Sequence, residues 1–289
     1  MTRRVALAVS AWNRPDYFHA VLNSYREADL TGVDVFFFID GPIPTSAAVP
    51  AQIDQVEAQA VEFAGRANVF RREKNVGVPH QIYEAKRKLF DEMGYDLVIS
   101  AVDDVVIAPY AVPAVLALYE RLAARPSGKP FTADIYNTLV ASREDKARQL
   151  GEIRVNGSMV FYAMGRDVWS KIGPVLSEYC SRFIQPLIDA GHPRPYKKRP
   201  HRAIRAWFSE LKGVEIPPTF ASSQDGCVRI AMDINGIEPW TTVVNHCANI
   251  GVNGEHCNIG VYRKLKFDQM NLDLFDRDEV LAALGPRLP

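Results

Sequence analysis

The stretch LVISAVDDVVIAP, residues 97–109, joins a predicted strand to a pair of carboxylates. The mostly apolar run Leu97–Val102 predicts a strand covered on both faces, as in a parallel sheet. Asp103 and Asp104 follow it directly, before a second apolar run that ends at Pro109. We therefore expect two acidic side chains at the mouth of an α/β sheet.

The residues before this stretch alternate strand and helix patterns. Buried strands are predicted at 5–9, 35–39 and 69–70. A helix is predicted from Pro15, with apolar residues at 18, 21, 22 and 25 along one face. Two further helices are predicted over 53–63 and 82–90, each with one apolar face. This rhythm predicts a mostly parallel α/β sheet flanked by helices.

The chain from about Pro126 is less regular and richer in glycine, proline and aromatic residues. We predict strands at 159–163 and 241–244, a short helix over 167–172 that stops at Gly173-Pro174, and a final helix capped by Asp276 with Glu279. We expect one continuous domain with two halves, 1–125 and 126–289.

The composition excludes several classes of protein. The 289 residues contain 34 Lys+Arg and 34 Asp+Glu, which argues against nucleic acid or an anionic membrane as the main partner. Four scattered cysteines indicate a reducing compartment, and no apolar run is long enough for a signal or spanning segment, so we expect a cytoplasmic protein. No G-x-G-x-x-G, G-x-x-x-x-G-K or G-x-S-x-G motif occurs.

Polar residues follow each predicted strand of the first half, where ligands bind in such sheets. They are Asn13-Arg14, Asp40-Gly41, Asn75-Val-Gly77 with His80, and Asp103-Asp104. Adjacent carboxylates repel unless a cation compensates them, and Mg²⁺ or Mn²⁺ shared with a diphosphate is one such cation. A solvated turn is the alternative for an isolated Asp-Asp.

This ordered set resembles the nucleotide-sugar half of glycosyltransferases of the A-type fold, GT-A. More narrowly, it resembles the α-mannoside β-1,2-N-acetylglucosaminyltransferase family, whose metal motif is Glu-Asp-Asp. The resemblance extends from Val5 to about Tyr119, but Val102 stands where that family has its leading Glu. The resemblance therefore does not identify the donor. The resemblance implies a Rossmann-type, mixed and mostly parallel sheet, with 1–125 binding the nucleotide sugar and 126–289 the acceptor.

The resemblance also implies residue roles in the first half. Arg14 corresponds to the arginine that approaches the nucleotide, Asp40 to the acid at the uracil edge, and His80 to a basic-aromatic residue near the nucleotide. Asp103 corresponds to the acid near the ribose and Asp104 to the metal ligand. A turn aspartate and a solvated helix-entry arginine are the alternatives for Asp40 and Arg14.

In the second half, the stretch 156–173 resembles the acceptor and donor-sugar pocket, where Trp169 would stack on a sugar or, alternatively, belong to the core. Asp225 falls where related enzymes place the catalytic base, although an N-cap residue would look the same. The stretch 251–254 resembles a loop that closes over the diphosphate, which makes His256 a candidate metal or phosphate contact and His246 a weaker one. The pairs His246-Cys247 and His256-Cys257 lack the Cys-x-x-Cys spacing that is usual in a zinc site.

The run Lys197–Arg205 holds five basic residues and no acid. Such a run is usually a solvated loop, but beside the crevice it would favour an anionic acceptor or the donor diphosphate. Together these patterns predict a metal-dependent, inverting hexosyl- or N-acetylhexosaminyltransferase that uses a UDP-sugar and a small-molecule or glycan acceptor. A nucleotidyltransferase, which would need a glycine-rich first loop, and a non-catalytic nucleotide-sugar binding module are the alternatives.

Overall fold

The computed structural model describes residues 3–43, 48–192, 194–217, 224–252, 258–264, 267–269 and 272–286. Within these ranges, strands β1 to β10 span Val5–Ala11, Val33–Ile39, Val69–Arg71, Leu97–Val102, Val105–Ile107, Phe131–Asp134, Ile153–Val155, Tyr162–Gly165, Glu238–Thr242 and Cys247–Asn249. Helices α1 to α11 span Pro15–Arg26, Ala48–Ala64, Val78–Arg87, Ala111–Ala123, Arg143–Arg148, Arg166–Tyr179, Gln185–Asp189, His201–Lys212, Gln224–Ile234, Ile259–Lys264 and Arg277–Leu284.

The central sheet has the strand order β3-β2-β1-β4-β8-β6-β9-β7, and β5 pairs with β10 in a separate two-stranded ribbon. Strands β1 to β4 are parallel, as the sequence predicts, whereas β8 and β7 run antiparallel to their neighbours. Strands from both sides of residue 126 therefore share one sheet. The mixed, mostly parallel α/β architecture flanked by helices is confirmed.

The sheet is buried on both faces. Leu7 and Val9 of β1 belong to one apolar cluster and Ala6 and Ala8 to the other, and all four side chains are buried. On the first face α1 packs with the spacing that the sequence predicts, since Phe18 meets Phe37 of β2 edge-on with ring centres 5.5 Å apart. Burial on both faces explains why these strands are continuous apolar runs.

Three predicted element boundaries in the second half are wrong. The strands begin at Tyr162 and Glu238 rather than at 159 and 241. Helix α6 continues through Gly173-Pro174 to Tyr179, and the absent side chain of Gly173 leaves room for the Trp169 indole, whose Cε2 would lie 3.0 Å from a Cβ there. Buried Ile172 and Leu176 hold the helix to the core on both sides of the proline.

The final helix begins as its capping pattern predicts. The Asp276 carboxylate accepts hydrogen bonds from the backbone N–H groups of Asp278 and Glu279, at 2.9 and 3.0 Å. In the described part of the chain, no helix is both long and apolar enough to cross a bilayer.

Candidate active site

The carboxyl ends of β1, β2, β4 and β6 lie along one edge of the sheet, which we call the carboxyl edge. Strand β6 reaches this edge because it is antiparallel to β8, which is itself antiparallel to β4. The chain leaves the strands there at Trp12, Asp40, Asp103 and Ile135, respectively. The predicted polar positions of the first half therefore collect at one edge.

Arg14 bridges the acidic pair at this edge. One guanidinium nitrogen donates to Asp103 Oδ1, and the other donates to Asp104 Oδ2 at 2.8 Å. The backbone N–H of Trp12 donates to the second oxygen of Asp103 at 3.1 Å. The Asp103 side chain is 5% exposed and the Asp104 side chain 13%, whereas 25% of Arg14 remains accessible. Arg14 therefore supplies part of the positive charge that two adjacent carboxylates need.

The charges in this cluster depend on one another. Burial raises the pKa of Asp104, and so does the Asp103 charge, while Arg14 opposes both effects. Burial disfavours the charged guanidinium of Arg14, but the two carboxylates outweigh it and raise its pKa. Two acids and one base leave a net negative charge at a protected edge, which favours the approach of a cation.

The turn after β10 covers Asp104. The backbone N–H of Ile250 donates to the Asp104 carbonyl at 2.8 Å, and a Cβ at Gly251 would lie only 2.2 Å from Asp104 Oδ2. Any larger residue at 251 would therefore displace the carboxylate or the turn. The stretch 251–254, expected to close over a diphosphate, begins in contact with the predicted metal ligand.

Asp40 holds the loop after β3. Its Oδ1 accepts hydrogen bonds from the backbone N–H groups of Gly41 and Val76, at 2.8 and 2.9 Å. Its Oδ2 accepts hydrogen bonds from the backbone N–H of Gly77 at 2.9 Å and from Asn75 Nδ2 at 2.8 Å. Burial raises the pKa of Asp40 to about 6, although these N–H groups oppose the shift. The carboxylate already has four donors, so its role at a nucleobase edge stays a prediction and would require sharing an oxygen.

His80 lies in the first turn of α3, directly after the loop that Asp40 holds. Its Nε2 is 3.1 Å from Gln185 Oε1, while its buried Nδ1 has no hydrogen-bond partner in the described part of the chain. Burial lowers its pKa, and so does the positive charge of Arg72. The neutral imidazole lies near the carboxyl edge, but its contact with a nucleotide stays a prediction.

Asp134, at the carboxyl end of β6, is a further acidic residue at this edge, which the sequence patterns do not predict. It is fully buried, and its carboxylate accepts from Ser158 Oγ at 3.0 Å, Met159 N–H at 2.6 Å and Tyr136 N–H at 2.8 Å. Met159 has a φ of 61°, which a side chain other than glycine rarely adopts. Asp134 thus fixes a strained turn within the stretch expected to form the sugar pocket. An acidic residue that ends the short run Phe131-Thr-Ala133 was the available signal.

Asp225, the predicted base, lies in the first turn of α9. Since α9 leads into the amino end of β9, which runs parallel to β6, its first turn faces the carboxyl edge. Asp225 is an exposed residue. Desolvation by the surrounding protein atoms nevertheless raises the pKa of its carboxyl group, and the charge of Lys86 opposes that shift. Lys86 is itself buried, with its ammonium 5.3 Å from the ring centre of Tyr162.

The prediction that Trp169 stacks on a donor sugar is wrong. Its ring is 4% exposed, stacks on Phe90 at 5.7 Å and donates Nε1–H to Asp91 Oδ1 at 2.9 Å. Helix α6 starts from the opposite edge of the sheet, because Gly165 at the end of β8 pairs with Leu97 at the start of β4. Trp169 is a core residue.

His246 is a core residue, although its backbone N–H donates to the carbonyl of Ile135 at the end of β6 at 3.0 Å. It is fully buried beside Tyr110, at 5.8 Å between ring centres, and burial lowers its pKa to about 4. Neither ring nitrogen has a hydrogen-bond partner in the described part of the chain. The weaker candidate is therefore a neutral core residue, and His256 lies outside the described residues.

The carboxyl edge can bind a divalent cation only if a bound molecule adds oxygen atoms to its coordination. No cluster of three or more His, Cys, Asp or Glu side chains among the described residues could hold a metal. Asp104 bonds Arg14 through Oδ2, and its Oδ1 bonds no other described side chain. One carboxylate together with diphosphate oxygens is the usual coordination of Mg²⁺ in proteins, so the donor set fits a cation shared with a diphosphate.

No family model and no curated protein matches this chain. Solved structures that resemble it include a mannosyltransferase, PcManGT from Pyrobaculum calidifontis, in complex with GDP-Man and Mn²⁺, at 14% identity and a TM-score of 0.40 over 60% of this chain and 48% of that one. Residues 1–349 of S. aureus TarS match at 13% identity and a TM-score of 0.43, over 97% of this chain and 70% of that one. A cytidylyltransferase from Leptospira borgpetersenii matches at 10% identity and a TM-score of 0.36, over 63% and 72%.

This chain thus spans about half the length of the mannosyltransferase. All three TM-scores are below 0.5.

Proposed function

We propose that this protein is a glycosyltransferase that moves a sugar from a nucleotide diphosphate, with UDP as the expected nucleotide, to an acceptor hydroxyl. The cluster of Arg14, Asp103 and Asp104 supports this proposal most directly. It combines a buried and a half-buried carboxylate with an accessible guanidinium at the edge where parallel sheets bind ligands. Guanidinium groups bind phosphate oxygens in pairs, and carboxylates bind the metal that accompanies a diphosphate.

Each residue has a defined task in this proposal. Arg14 presents its exposed side to phosphate oxygens while it holds both carboxylates in place. Asp104 would hold Mn²⁺ or Mg²⁺, which when bound supplies positive charge that stabilises the diphosphate leaving group. Asp103 is expected to face the ribose.

Asp225 accepts the proton of the attacking hydroxyl. A base on the acceptor side suits direct displacement, in which the hydroxyl attacks the anomeric carbon opposite the leaving diphosphate and inverts its configuration. Protein atoms around Asp225 raise its pKa, which makes it a stronger base than a free carboxylate.

The test is release of UDP from a panel of UDP-sugars, with Mn²⁺ or with EDTA. We expect metal-dependent turnover in the wild type and a loss of about 100-fold or more in Asp225→Asn, with donor affinity unchanged. Asp104→Asn should lose both turnover and the Mn²⁺ dependence of donor binding. Asp278→Asn, in the first turn of α11, is the control for removal of an exposed carboxylate.

A wild type that binds and cleaves no sugar nucleotide under either condition would refute the proposal. Full activity of Asp225→Asn would remove only the base from it, and metal-independent turnover would remove only the cation.

A further inference from the structure

The positive charge of this neutral chain is unevenly distributed. Residues 190–209 contain six Lys and Arg side chains and no Asp or Glu, whereas the whole chain has equal numbers of each sign. We call residues 194–205 the basic segment. It includes a 3-10 turn over Pro195–Lys198 and the first turns of α8.

The basic segment packs against the loop that Asp40 holds. A Cβ at Gly77 would lie 2.9 Å from the Tyr196 Cβ, so the two backbones approach closely at this point. Gly77 donates its N–H to Asp40 at the end of β2. The segment therefore borders the carboxyl edge on the side of the expected nucleotide.

The other side of the basic segment is anchored near the helix that carries Asp225. Ile204, Trp207 and Phe208 of α8 are buried in one apolar cluster with Cys227 of α9. The positive charge of Arg199 also acts on Cys227, two residues after the predicted base. The segment thus lies between the nucleotide loop and the start of α9.

Several cations of the segment have no acidic partner among the described residues. The side chains of Lys198, Arg202 and Arg205 form no ion pair or hydrogen bond with any described residue, and Lys198 and Arg202 are exposed. Most arginines elsewhere in the described ranges do find a carboxylate, as Arg14 and Arg71 do. Positive charges that are close in the sequence and have no acidic partner among the described residues favour the binding of an anion.

The chemistry of the segment indicates which anion. Its aromatic side chain, Tyr196, is 9% exposed, and Trp207, which follows the segment in α8, is 5% exposed. The segment thus offers cations without an aromatic platform on which the bases of a nucleic acid could stack. Lysine and arginine in this setting suit phosphate oxygens.

We propose that Lys198, Arg202 and Arg205 bind a phosphate group of the acceptor, so that the acceptor is a phosphorylated molecule. This assignment rests on the proposed glycosyl transfer, in which the donor diphosphate occupies the Arg14–Asp104 cluster. Three further cations outside that cluster then serve a second anion, on the side of the site where the base lies.

The test uses fluorescein-labelled short-chain polyphosphate as the probe, with binding followed by fluorescence anisotropy. Lys198→Glu and Arg202→Glu should each weaken probe binding by about tenfold, which corresponds to about 1.4 kcal/mol. Lys171→Glu makes the same change of charge on an exposed side chain of α6 and should leave binding within about twofold. Thermal melts of each variant verify folding, and UDP binding with Mn²⁺ should stay unchanged in all three.

Competition distinguishes the two anion sites. Saturating UDP with Mn²⁺ should leave the probe bound to the wild type; complete displacement would mean that the probe occupies the donor site and would overturn the proposal. Equal losses in Lys171→Glu and Lys198→Glu would also overturn it, as would binding to phosphatidylglycerol vesicles without binding to soluble polyphosphate. If the wild type binds the probe but no sugar nucleotide, the proposed function fails and the acceptor assignment fails with it, while a phosphate site remains.

Discussion

Arg14 determines the behaviour of the acidic pair because its planar guanidinium reaches two carboxylates at once. A lysine ammonium is a compact point charge and cannot reproduce this two-sided contact. Removing the partner of a buried carboxylate typically costs about 3 to 5 kcal/mol. The function of this edge therefore depends on the geometry of the guanidinium as well as on its charge.

We expect Arg14→Lys to weaken UDP binding by about tenfold and to lower the unfolding free energy by about 1 to 3 kcal/mol, because the lysine keeps the positive charge but one of the two carboxylates loses its hydrogen bond. Isothermal calorimetry and urea unfolding measure the two effects. Arg71→Lys is the matched control, since Arg71 also contacts two carboxylates, Asp54 and Glu57, at a more exposed place. Equal effects in the two variants would contradict a special role for Arg14.

Asp134 should make the stability of the protein depend on pH. Burial raises its pKa from 3.8 to about 6, so between these values the folded chain retains a proton that the unfolded chain has released. The unfolding free energy therefore falls as the pH rises through this range, by up to about 3 kcal/mol from this group.

Asp134→Asn removes this contribution, so the stability of the wild type relative to the variant should be greater at pH 4.5 than at pH 7.5. Urea unfolding at both pH values measures the difference, and contributions shared by the two proteins cancel. Asp278→Asn controls for loss of an exposed carboxyl group. A difference between wild type and Asp134→Asn that does not change with pH would contradict the raised pKa.

At the scale of elements, sequence patterns predicted what local interactions determine. Helix α1 follows from Pro15 and its apolar spacing, and α11 begins where Asp276 caps it. The parallel strands are recognisable because burial on both faces requires a continuous apolar run. For the same reason, the positions of Asp40, Asp103 and Asp104 at one edge follow from the order of the strands.

Non-local contacts account for what the sequence did not predict. The ribbon of β5 and β10 joins residues about 140 positions apart, so neither three-residue strand has a local signal. Helix α6 passes Gly173-Pro174 because Ile172 and Leu176, on the two sides of the proline, are buried against other elements of the fold. The task of Asp134 depends on a turn that begins more than 20 residues later.

Gly251 connects this ribbon to the site. We expect Gly251→Ala to reduce turnover strongly, since its Cβ would lie 2.2 Å from Asp104 Oδ2, while the overall fold stays intact. Steady-state kinetics with circular dichroism measures both properties. Gly260→Ala is the control, because a Cβ there would meet only the end of the Asn258 side chain at 3.2 Å. Unchanged turnover in Gly251→Ala would mean that the turn does not cover Asp104 during catalysis.

At the scale of the whole molecule, the central sheet makes the two halves of the chain depend on each other. Strand β4, which carries Asp103 at its end, pairs with β1 on one side and with β8 of the second half on the other. One apolar cluster combines Ala8, Phe90 and Val98 of the first half with Met164 and Val228 of the second. The side of the site proposed to bind the nucleotide thus rests on a sheet that neither half completes alone.

We therefore expect a fragment of residues 1–125 to lack cooperative unfolding and UDP binding. Without β8, α6 and α9, strand β4 becomes an exposed edge and the face that contains Ala8 and Val98 loses its cover. Near-ultraviolet circular dichroism and thermal melts of the fragment, compared with the full chain, test this expectation. The full chain should unfold in one transition by tryptophan fluorescence and by circular dichroism, because Trp169 and Trp240 belong to the same sheet and its cover. Two separate transitions, or a fragment that melts cooperatively and binds UDP, would show instead that the nucleotide half is an independent domain.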